Sequence, residues 1–558
     1  MKPHKIFLTF LSILALIALI ALLFPTGGLV IPPGIHVNFP SLRSLINYEE
    51  VQYKDISSIV ENNRPIDTIA PVIRDTLSRD VASDTTSMKE DTTSQTQQDT
   101  IAAASEKKKS PAVRKSRQKD LQYPRNDPSV LYPFFRSLEE LPGQDQLIRI
   151  LHYGDSQIEG DRISSYLRNQ LQKQFGGAGI GLFPVVLPNN TNIALRHSVT
   201  RSWSRFTPHD LDQANFRHER FGLLMSFSRF SPYYSYYQDE VYEASIRIAD
   251  SPISFDLNSR FTRCRIFFGY NEKPFIVRMN YEDQTREADM IPATDKLQEI
   301  SWNVPPDLDE LTITFQGNHS PDIYGMALDG ERGIAVDNIP LRGSSGTEFT
   351  KYDTALLQSM MNHLKVKLIL LHFGVNLVPL LREDYTFYEN RFYRQLKMLK
   401  SLNEDVSIIV MGVSDMSKKE GGNYQSWPNI EKIRDAQKNA AFRADCAFWD
   451  TYEAMGGKNS MPSWVFSNPP LARKDFTHFT YKGSVVIAKM FYKALMKDYR
   501  NYQQKAASGS GSVVPAAPQA QPAEAGLPDT TEAATGPPDS LRHAPANHQG
   551  VTDSTGWN

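Results

Sequence analysis

In two parts of the chain, residues 147–186 and 333–500, short apolar runs alternate with longer segments of helical periodicity. The apolar runs are dense in branched aliphatic residues, as is typical of strands buried on both faces, and they predict strands at 147–153, 366–373, 406–413 and 446–450. Helices are predicted at 161–175, 347–364, 384–402, 428–444 and 481–499. Strands that alternate with helices in this way indicate a parallel sheet covered by helices, an α/β fold.

The pattern changes between residues 190 and 330, where short runs rich in aromatic and β-branched residues are separated by turn-forming residues. Strands are predicted at 242–249, 263–270, 274–281 and 310–316. Short strands at this spacing are typical of an antiparallel β-sandwich. The sequence therefore predicts an all-β module that interrupts the α/β domain after its first strand and helix.

The apolar pattern is uninterrupted near the start of the chain, where residues 6–24 carry no charge and approach the length of a bilayer-spanning helix. Lys2 and Lys5 precede this stretch and favour a cytoplasmic start, with everything after residue 30 on the far side of the membrane. A cleaved signal peptide is the alternative, although no small-x-small site follows and no cysteine is available for lipidation. We therefore expect a signal-anchor that spans the inner membrane.

Two segments lack the apolar residues that a core requires. Residues 57–119 are rich in Thr, Ser, Asp, Gln and Lys, and residues 506–558 in Ala, Pro, Gly, Ser and Thr. Such compositions cannot bury enough apolar surface to fold, so a flexible linker and a disordered tail are predicted. The basic clusters at 107–109 and 114–117 either belong to this solvated linker or contact anionic lipid or a charged cell-wall polymer.

Charge and cysteine content exclude several classes of function. The 558 residues include 61 Lys and Arg and 63 Asp and Glu, so no overall positive field favours nucleic acid as a partner. The two cysteines, Cys264 and Cys446, lie far apart and in no metal-ligand spacing, which argues against a zinc site or a disulfide framework. Both are predicted to be buried apolar residues.

The first predicted strand ends in Gly154-Asp155-Ser156, directly before a helix. Ligands of open α/β sheets bind beyond the carboxyl ends of the strands, so Ser156 lies where such a fold usually carries out chemistry. The same residues also suit an ordinary turn in which Asp155 or Ser156 caps the helix. These three residues alone do not distinguish a nucleophile from a cap.

Three further motifs follow predicted strands or precede the last helix. Residues 338–346 form a glycine-punctuated loop whose backbone N–H groups can face a reacting oxygen. Asn376 follows the strand predicted at 366–373 and brings a side-chain amide to the same edge of the sheet. Asp475 and His478 lie one helical turn apart just before the final helix.

Each of these motifs also has a purely structural explanation. Gly343 and Gly346 can serve only to permit a turn, and Asn376 can cap a helix. Asp475 and His478 can form a surface pair. Their joint order supports chemistry instead, because a serine, a donor glycine, a donor asparagine and Asp-x-x-His supply a nucleophile, oxyanion donors and an oriented base. Acyl transfer needs these groups and no metal or cofactor.

In these residues the sequence resembles the SGNH hydrolases, which are GDSL-like esterases. The name SGNH refers to their Ser, Gly, Asn and His residues, in that order along the chain. The resemblance implies a flavodoxin-like three-layer α/β/α domain. It also implies that Ser156 is the nucleophile, that His478 is the general base and that Asp475 orients the imidazole.

The same resemblance implies an oxyanion hole formed by Ser156, Gly343 and Asn376. Gly343 is preferred to Gly346 because the family often places its glycine five residues after an asparagine, and Asn338 stands at that spacing.

A narrower resemblance covers the block that follows the first strand. The segments GDSQ at 154–157, Gly160-Asp161, Leu167-Arg168, Leu171-Gln172, Phe175-Gly176 and Gly179-x-Gly181 are similar to the start of periplasmic peptidoglycan O-acetylesterases. Those enzymes also carry a β-rich, carbohydrate-binding-like module between the serine and glycine blocks. Two departures concern the substrate: Gln157 stands where those esterases often have His, and Leu377 follows Asn376 in place of the commoner Asp or Gly.

The resemblance implies a serine esterase that removes O-acetyl groups from a cell-envelope glycan, with peptidoglycan as the expected substrate and the periplasm as the location. One alternative is an O-acetyltransferase that uses the same residues together with a membrane-bound partner supplying acetyl groups. The other is a non-catalytic protein that binds an envelope glycan. Trp203 and the tyrosines of 233–237 either stack on sugar rings or belong to the core of the sandwich.

These inferences divide the chain into six segments. They are a signal-anchor (1–30), a flexible linker (31–122), the first part of the hydrolase domain (123–190), the inserted sandwich (191–330), the second part of the hydrolase domain (331–502) and a disordered tail (503–558).

Overall fold

A computed structural model describes most of the chain between residues 119 and 509 and short segments before it. The described residues are 3–23, 29–31, 35–37, 51–63, 119–188, 192–208, 218–233, 240–287, 290–306, 308–420 and 422–509. The chain separates into two units, Met1–Ala506 and Ala507–Asn558. The sheets and the candidate site belong to the first unit.

The helices and strands are numbered in chain order. The helices are α1 (Pro3–Leu23), α2 (Ser57–Asn62), α3 (Tyr132–Glu140), α4 (Ser164–Phe175), α5 (Asp256–Ser259), α6 (Thr354–His363), α7 (Thr386–Ser401), α8 (Ile430–Arg443), α9 (Thr451–Met455), α10 (Ser460–Phe466) and α11 (Tyr481–Gly509). The strands outside the three larger sheets are β1 (Leu29–Ile31) with β2 (Ile35–Val37), and β18 (Ser417–Glu420) with β19 (Asn423–Ser426).

The predicted α/β fold is confirmed by a sheet of five parallel strands. These are β3 (Leu147–Gly154), β15 (Gly333–Pro340), β16 (Val366–His372), β17 (Ser407–Met411) and β20 (Ala447–Trp449), in the spatial order β15-β3-β16-β17-β20. Numbered along the chain, this order is 2-1-3-4-5, the flavodoxin-like arrangement. Such a sheet reverses its strand order between the first and third strands, here β3 and β16.

Two apolar layers cover the faces of this sheet. Alternate residues of β16 point to opposite faces, as the two-residue period of a strand requires. Ile369 and Leu371 pack in the layer that contains α6, α7 and α8. Leu368 and Leu370 pack in the layer that contains α3, α4 and α11. The domain is therefore a three-layer α/β/α structure.

The predicted β-sandwich is also present. Its first sheet has the order β11-β10-β13-β8-β5, and its second has the order β12-β9-β14-β7-β6 with β4 paired to β14. The strands are β4 (Gly181–Phe183), β5 (Leu195–Val199), β6 (Ser204–Phe206), β7 (Phe227–Arg229), β8 (Tyr242–Asp250), β9 (Arg263–Gly269), β10 (Ile276–Tyr281), β11 (Gln284–Glu287), β12 (Gln298–Asn303), β13 (Glu310–Gly317) and β14 (Asp322–Asp329). Apolar residues of both sheets share one core, which includes Ile246, Ile266 and Ile313.

Two sequence predictions for the α/β domain differ from the structure. Strand β4 lies in the segment assigned to the hydrolase domain, yet it pairs with β14 of the sandwich. No strand is predicted at 333–340, and residues 338–340 are predicted to begin a glycine-punctuated loop, whereas residues Gly333–Pro340 form strand β15. The charge of Asp337 interrupts the apolar pattern of β15, and this carboxylate is buried because Arg149 of β3 pairs with it.

The prediction of a flexible linker from 31 to 122 is wrong for residues 51–63. Ile56 and Ile59 are only 6% and 4% exposed because they join the apolar layer around α11. The backbone N–H of Lys54 donates to the carbonyl of Asn459 at 3.1 Å. The basic clusters at 107–109 and 114–117 lie outside the described residues.

The first and the last described segments of the chain both carry helices. Residues His4–Leu22 of α1 form a helix long and apolar enough to cross a membrane, with a mean hydropathy of 2.6. Helix α11 continues to Gly509, past residue 502, where the disordered tail was predicted to begin. The predicted tail from 510 onward lies outside the described residues.

Trp203 belongs to the core of the sandwich and is not exposed for stacking on a sugar. Its side chain is 7% exposed. The ring meets Phe230 and Phe315 edge-on, at centroid distances of 5.9 and 5.1 Å, and its indole N–H donates to the carbonyl of Ser245. Burial of this large apolar surface explains the residue without a ligand. Residues 234–237 lie outside the described part of the chain.

Candidate active site

Three neighbouring strands of the parallel sheet end at the same height. Gly154, at the end of β3, pairs with Pro340 of β15 on one side and with His372 of β16 on the other. A Cβ atom at Gly154 would lie 2.8 Å from the carbonyl oxygen of His372, so only glycine allows this close approach. The turns that follow the three strands, which carry Ser156, Gly343 and Asn376, therefore begin side by side at the switch point of the sheet.

Ser156, His478 and Asp475 form one chain of hydrogen bonds. The Ser156 Oγ lies 2.8 Å from Nε2 of His478. The other ring nitrogen, Nδ1, lies 2.8 Å from Oδ2 of Asp475. The fold thus brings together a hydroxyl and a base that are far apart in the sequence, with a carboxylate positioned to fix the tautomer of the imidazole.

The Asp475 carboxylate is held in its ionised form. Partial burial alone would raise its pKa, but hydrogen bonds from the His478 side chain and from the N–H groups of His478 and Thr477 lower it to about 2. Those N–H groups lie 3.0 and 2.9 Å from Oδ1. One carboxylate oxygen therefore organises the turn while the other contacts the imidazole.

Asp155 connects the Ser156 turn to the Asn376 turn. Its buried carboxylate accepts from the N–H of Gln157 at 3.0 Å, and from those of Gly374 and Val375 at 3.0 and 3.2 Å. Burial raises the pKa of Asp155 to about 6, and the hydrogen bonds oppose that shift. From the sequence Asp155 could be read only as a cap of its own turn, because the partner turn is more than 200 residues away.

The glycine loop meets the Asn376 side chain. Asn376 Nδ2 donates to the carbonyl of Ser344 at 2.9 Å, which uses one of its two hydrogens and leaves the other available. Gly343 adopts a φ of +80° with open space where a Cβ would stand. Among the described residues its backbone N–H has no hydrogen-bond partner.

Gly346 has a different environment from Gly343. Its backbone N–H donates to the hydroxyl of Ser344 at 2.9 Å. A Cβ atom at Gly346 would lie 2.7 Å from the ring of Phe373, so this glycine packs against an aromatic side chain. The geometry leaves the amide of Gly343, and not that of Gly346, free to donate to a ligand.

Two histidines beneath the site are structural. His152 of β3 and His372, the last residue of β16, stack with a centroid distance of 6.0 Å and an interplanar angle of 6°. Burial lowers the pKa of His152 well below its ordinary value and that of His372 to about 4. Both rings are neutral near pH 7.

The two cysteines are free and fully buried, as predicted. Burial raises the pKa of Cys264 and of Cys446 to about 12, so neither is a thiolate at neutral pH. In the described part of the chain, no group of three or more His, Cys, Asp or Glu side chains is placed to hold a metal ion.

Comparison with solved structures relates this fold to known enzymes. No family model and no curated protein matches the chain. A solved structure of a peptidoglycan O-acetylesterase matches with a TM-score of 0.52 and 20% identity, over 66% of this chain and 96% of the other.

Two further matches are more distant. A carbohydrate esterase family 3 protein from Talaromyces cellulolyticus matches at 18% identity over 30% of this chain and 72% of its own, with a TM-score of 0.22. A structure described as a GDSL-like lipase from Bacteroides ovatus matches at 12% identity over 46% and 84%, with a TM-score of 0.20. Of these three matches, only the first, which covers 66% of this chain with a TM-score of 0.52, bears on the fold. The chain therefore has a flavodoxin-like three-layer α/β/α domain with an inserted β-rich module, and in that fold it resembles a peptidoglycan O-acetylesterase.

Proposed function

We propose that this protein is a serine esterase of the SGNH type that removes O-acetyl groups from a cell-envelope glycan, with peptidoglycan as its substrate. The observation that carries the proposal is the hydrogen-bond chain from Ser156 through His478 to Asp475, at 2.8 Å for each contact. The similarity in fold to a peptidoglycan O-acetylesterase supports the choice of substrate.

The reaction begins with the Ser156 hydroxyl. Nε2 of His478 takes its proton while the oxygen attacks the carbonyl carbon of an acetyl ester. Asp475 keeps the other ring nitrogen protonated and stabilises the imidazolium that forms. Because Asp475 has a pKa of about 2, it stays ionised and performs this task throughout the neutral range.

Negative charge then develops on the former carbonyl oxygen. Three donors are proposed to stabilise this oxyanion: the N–H of Ser156, the N–H of Gly343 and the remaining hydrogen of Asn376 Nδ2. Ser156 begins a 3-10 turn, and the first amides of such a turn have no partner within it. Removal of one donor of this type typically costs about 3 kcal/mol of transition-state stabilisation.

The intermediate collapses when the ester C–O bond breaks. The sugar oxygen leaves with the proton held by His478, and the acetyl group remains on Ser156. Water, deprotonated by the same imidazole, attacks this acetyl-enzyme and releases acetate. The cycle is complete without a metal or a cofactor.

The apolar helix α1 supports a location of this chemistry at the cell envelope. Helix α1 is proposed to be an uncleaved anchor in the inner membrane, with the two domains in the periplasm. The sandwich is proposed to help bind the glycan through a surface other than Trp203, which is buried.

Substitution of the nucleophile tests the proposal. The protein should release acetate from O-acetylated peptidoglycan and from a chromogenic acetate ester, and Ser156→Ala should abolish both activities. Ser165→Ala, which removes a buried hydroxyl of α4 that has no hydrogen-bond partner among the described residues, is the matched control and should retain them. Equal turnover by Ser156→Ala and the unmodified protein would refute the proposal.

A transferase is the second candidate, and the proposed membrane anchor α1 favours it because a membrane-bound partner can supply acetyl groups. Acetyltransfer to a sugar uses the same acetyl-enzyme, resolved by a sugar hydroxyl in place of water. The protein without residues 1–30 should be incubated with an acetyl ester donor and unacetylated peptidoglycan. The amount of free acetate is then compared with the amount of acetylated sugar. Predominant free acetate supports the esterase, and predominant acetylated sugar supports the transferase.

A further inference from the structure

Gln157, the residue after the proposed nucleophile, connects three segments of the site through its side chain. It is 1% exposed. Its Nε2 donates to the carbonyl of Thr477 at 2.7 Å and to the hydroxyl of Ser414 at 3.0 Å. Its Oε1 accepts from the N–H of Phe479 at 3.4 Å. The two contacts to Thr477 and Phe479 flank His478 on both sides.

Arg162 also joins the Ser156 turn to the loop that carries His478. Its buried guanidinium donates to the carbonyl of Ser156 at 2.8 Å and to that of Phe479 at 3.0 Å. Burial lowers the pKa of Arg162 to about 10, which still leaves it charged at neutral pH. With Arg162 in place, loss of the Gln157 side chain would alter the fit of the two segments without separating them.

The chemistry of a primary amide fits this position closely. Two N–H bonds serve the two acceptors, and the carbonyl oxygen serves the one donor, so the group is fully satisfied. An imidazole has at most one donor and one acceptor when neutral, and therefore cannot make all three contacts.

We infer that Gln157 is a positioning residue that sets the distance and angle between the Ser156 hydroxyl and the His478 imidazole. The inference rests on the proposed function, since it concerns the proton transfer of that reaction. Gln157 does not touch the reacting atoms. It acts through the loop that carries the base, and a misplacement of about 1 Å in such a site lowers the rate by about 10²-fold.

Gln157→Glu tests the inference because it conserves shape and replaces the donor with a titratable group. An ionised carboxylate cannot donate to Thr477 and repels its carbonyl oxygen, whereas a protonated one restores a donor. We expect kcat to fall about 10²-fold at pH 8 with KM little changed. The ratio of the variant's kcat to that of the unmodified protein should then rise as the pH is lowered and the introduced carboxyl is protonated.

Gln157→Met is the second variant, because it keeps the length of the side chain and cannot ionise. Its kcat should be low at every pH, and the ratio of its kcat to that of the unmodified protein should not change with pH. Gln172→Glu is the matched control: Gln172 is also buried and donates to a backbone carbonyl, that of Gly179 at 2.9 Å, but lies outside the site. It should alter thermal stability without altering the kcat ratio.

The outcomes separate this inference from the proposed function. One outcome is that turnover is lost in Ser156→Ala while kcat is unchanged in folded Gln157→Glu and Gln157→Met. This outcome would refute the positioning role and leave the proposed function standing. A flat kcat ratio for Gln157→Glu across pH would refute it as well. Absence of any Ser156-dependent turnover in the unmodified protein would overturn the proposed function, and this inference with it.

Discussion

At the scale of single residues, Asp475 has two roles in the candidate site. Oδ2 contacts the His478 ring, and Oδ1 accepts two backbone N–H groups of the same turn. The imidazole therefore depends on one carboxylate for its tautomer and for part of its position. These two roles lead to separate predictions, one for activity and one for stability.

Asp475→Asn should lower kcat by about 10⁴-fold, because an amide can donate to Nδ1 and thereby stabilise the wrong tautomer of His478. Hydrolysis of a chromogenic acetate ester measures the effect. Asp384→Asn is the control, since Asp384 also accepts from a backbone N–H two residues on, that of Thr386, but has no histidine partner. Similar kcat values for the two variants would contradict the assigned role.

Stability should also depend on the Asp475 carboxylate. Its pKa is about 2 in the folded protein and 3.8 as an ordinary value, so ionisation favours the folded state. This contribution is fully present above the unfolded pKa and is lost as the pH falls through the folded one. Urea unfolding of the unmodified protein and Asp475→Asn should show a constant difference in free energy above that range. The difference should shrink toward pH 2, and a difference independent of pH would contradict the prediction.

At the scale of elements, the hairpin of β18 and β19 supports the loop that carries the base. Tyr424 stacks on Phe476 with a centroid distance of 3.6 Å and an interplanar angle of 11°. The N–H of Ser417 donates to the Phe476 carbonyl at 3.0 Å. Phe476 has a φ of +55°, a conformation that a non-glycine residue keeps only when its surroundings enforce it.

Tyr424→Ala should therefore loosen the loop and lower kcat by about 10-fold, with a smaller change in the midpoint of thermal unfolding than a core truncation causes. Tyr393→Ala is the control. Tyr393 lies on α7, is also partly buried and packs under the guanidinium of Arg443. A loss of activity equal in both variants would assign the effect to general stability and not to the loop.

At the scale of the whole molecule, a buried ion cluster joins the parallel sheet to the sandwich. Arg149 of β3 contacts Asp337 of β15 and Asp329 of β14, each at 2.5 Å, and all three side chains are fully buried. Burial raises the pKa of Asp337 to about 6, and the Arg149 charge opposes that shift. Because β14 belongs to the sandwich, the orientation of the insert depends on this pairing.

Arg149→Met should destabilise the protein by about 3–5 kcal/mol, because it leaves Asp337 buried without a cation and Asp329 with only the 3.6 Å contact to Arg265. Urea unfolding measures this change. Arg125→Met is the control, since Arg125 pairs with Asp445 at the exposed surface at 2.8 Å and such pairs contribute at most about 1 kcal/mol. Equal destabilisation in the two variants would contradict the importance of the buried cluster.

Local pattern was enough to predict most elements. The apolar runs that became β3, β16, β17 and β20 were recognisable because parallel strands are buried on both faces. Strand β15 was missed because Asp337 interrupts its apolar pattern. The carboxylate of Asp337 can be buried because Arg149, which is distant in the sequence, pairs with it in the folded protein. Helix α2 was missed because two buried isoleucines in a polar segment have no visible partner in the sequence.

By itself, the sequence determined the α/β class, the inserted β module and the order of Ser156, Gly343, Asn376, Asp475 and His478, because periodicity and motif spacing are local properties. Only the tertiary structure decided how these residues meet. The 2-1-3-4-5 strand order sets their turns side by side, Asp155 links two of those turns, and Gln157 links the nucleophile to the loop of the base. The contacts of Asp155 and Gln157 join positions more than 200 residues apart in the sequence. The burial of these side chains and their distances to their partners are set only when the chain folds.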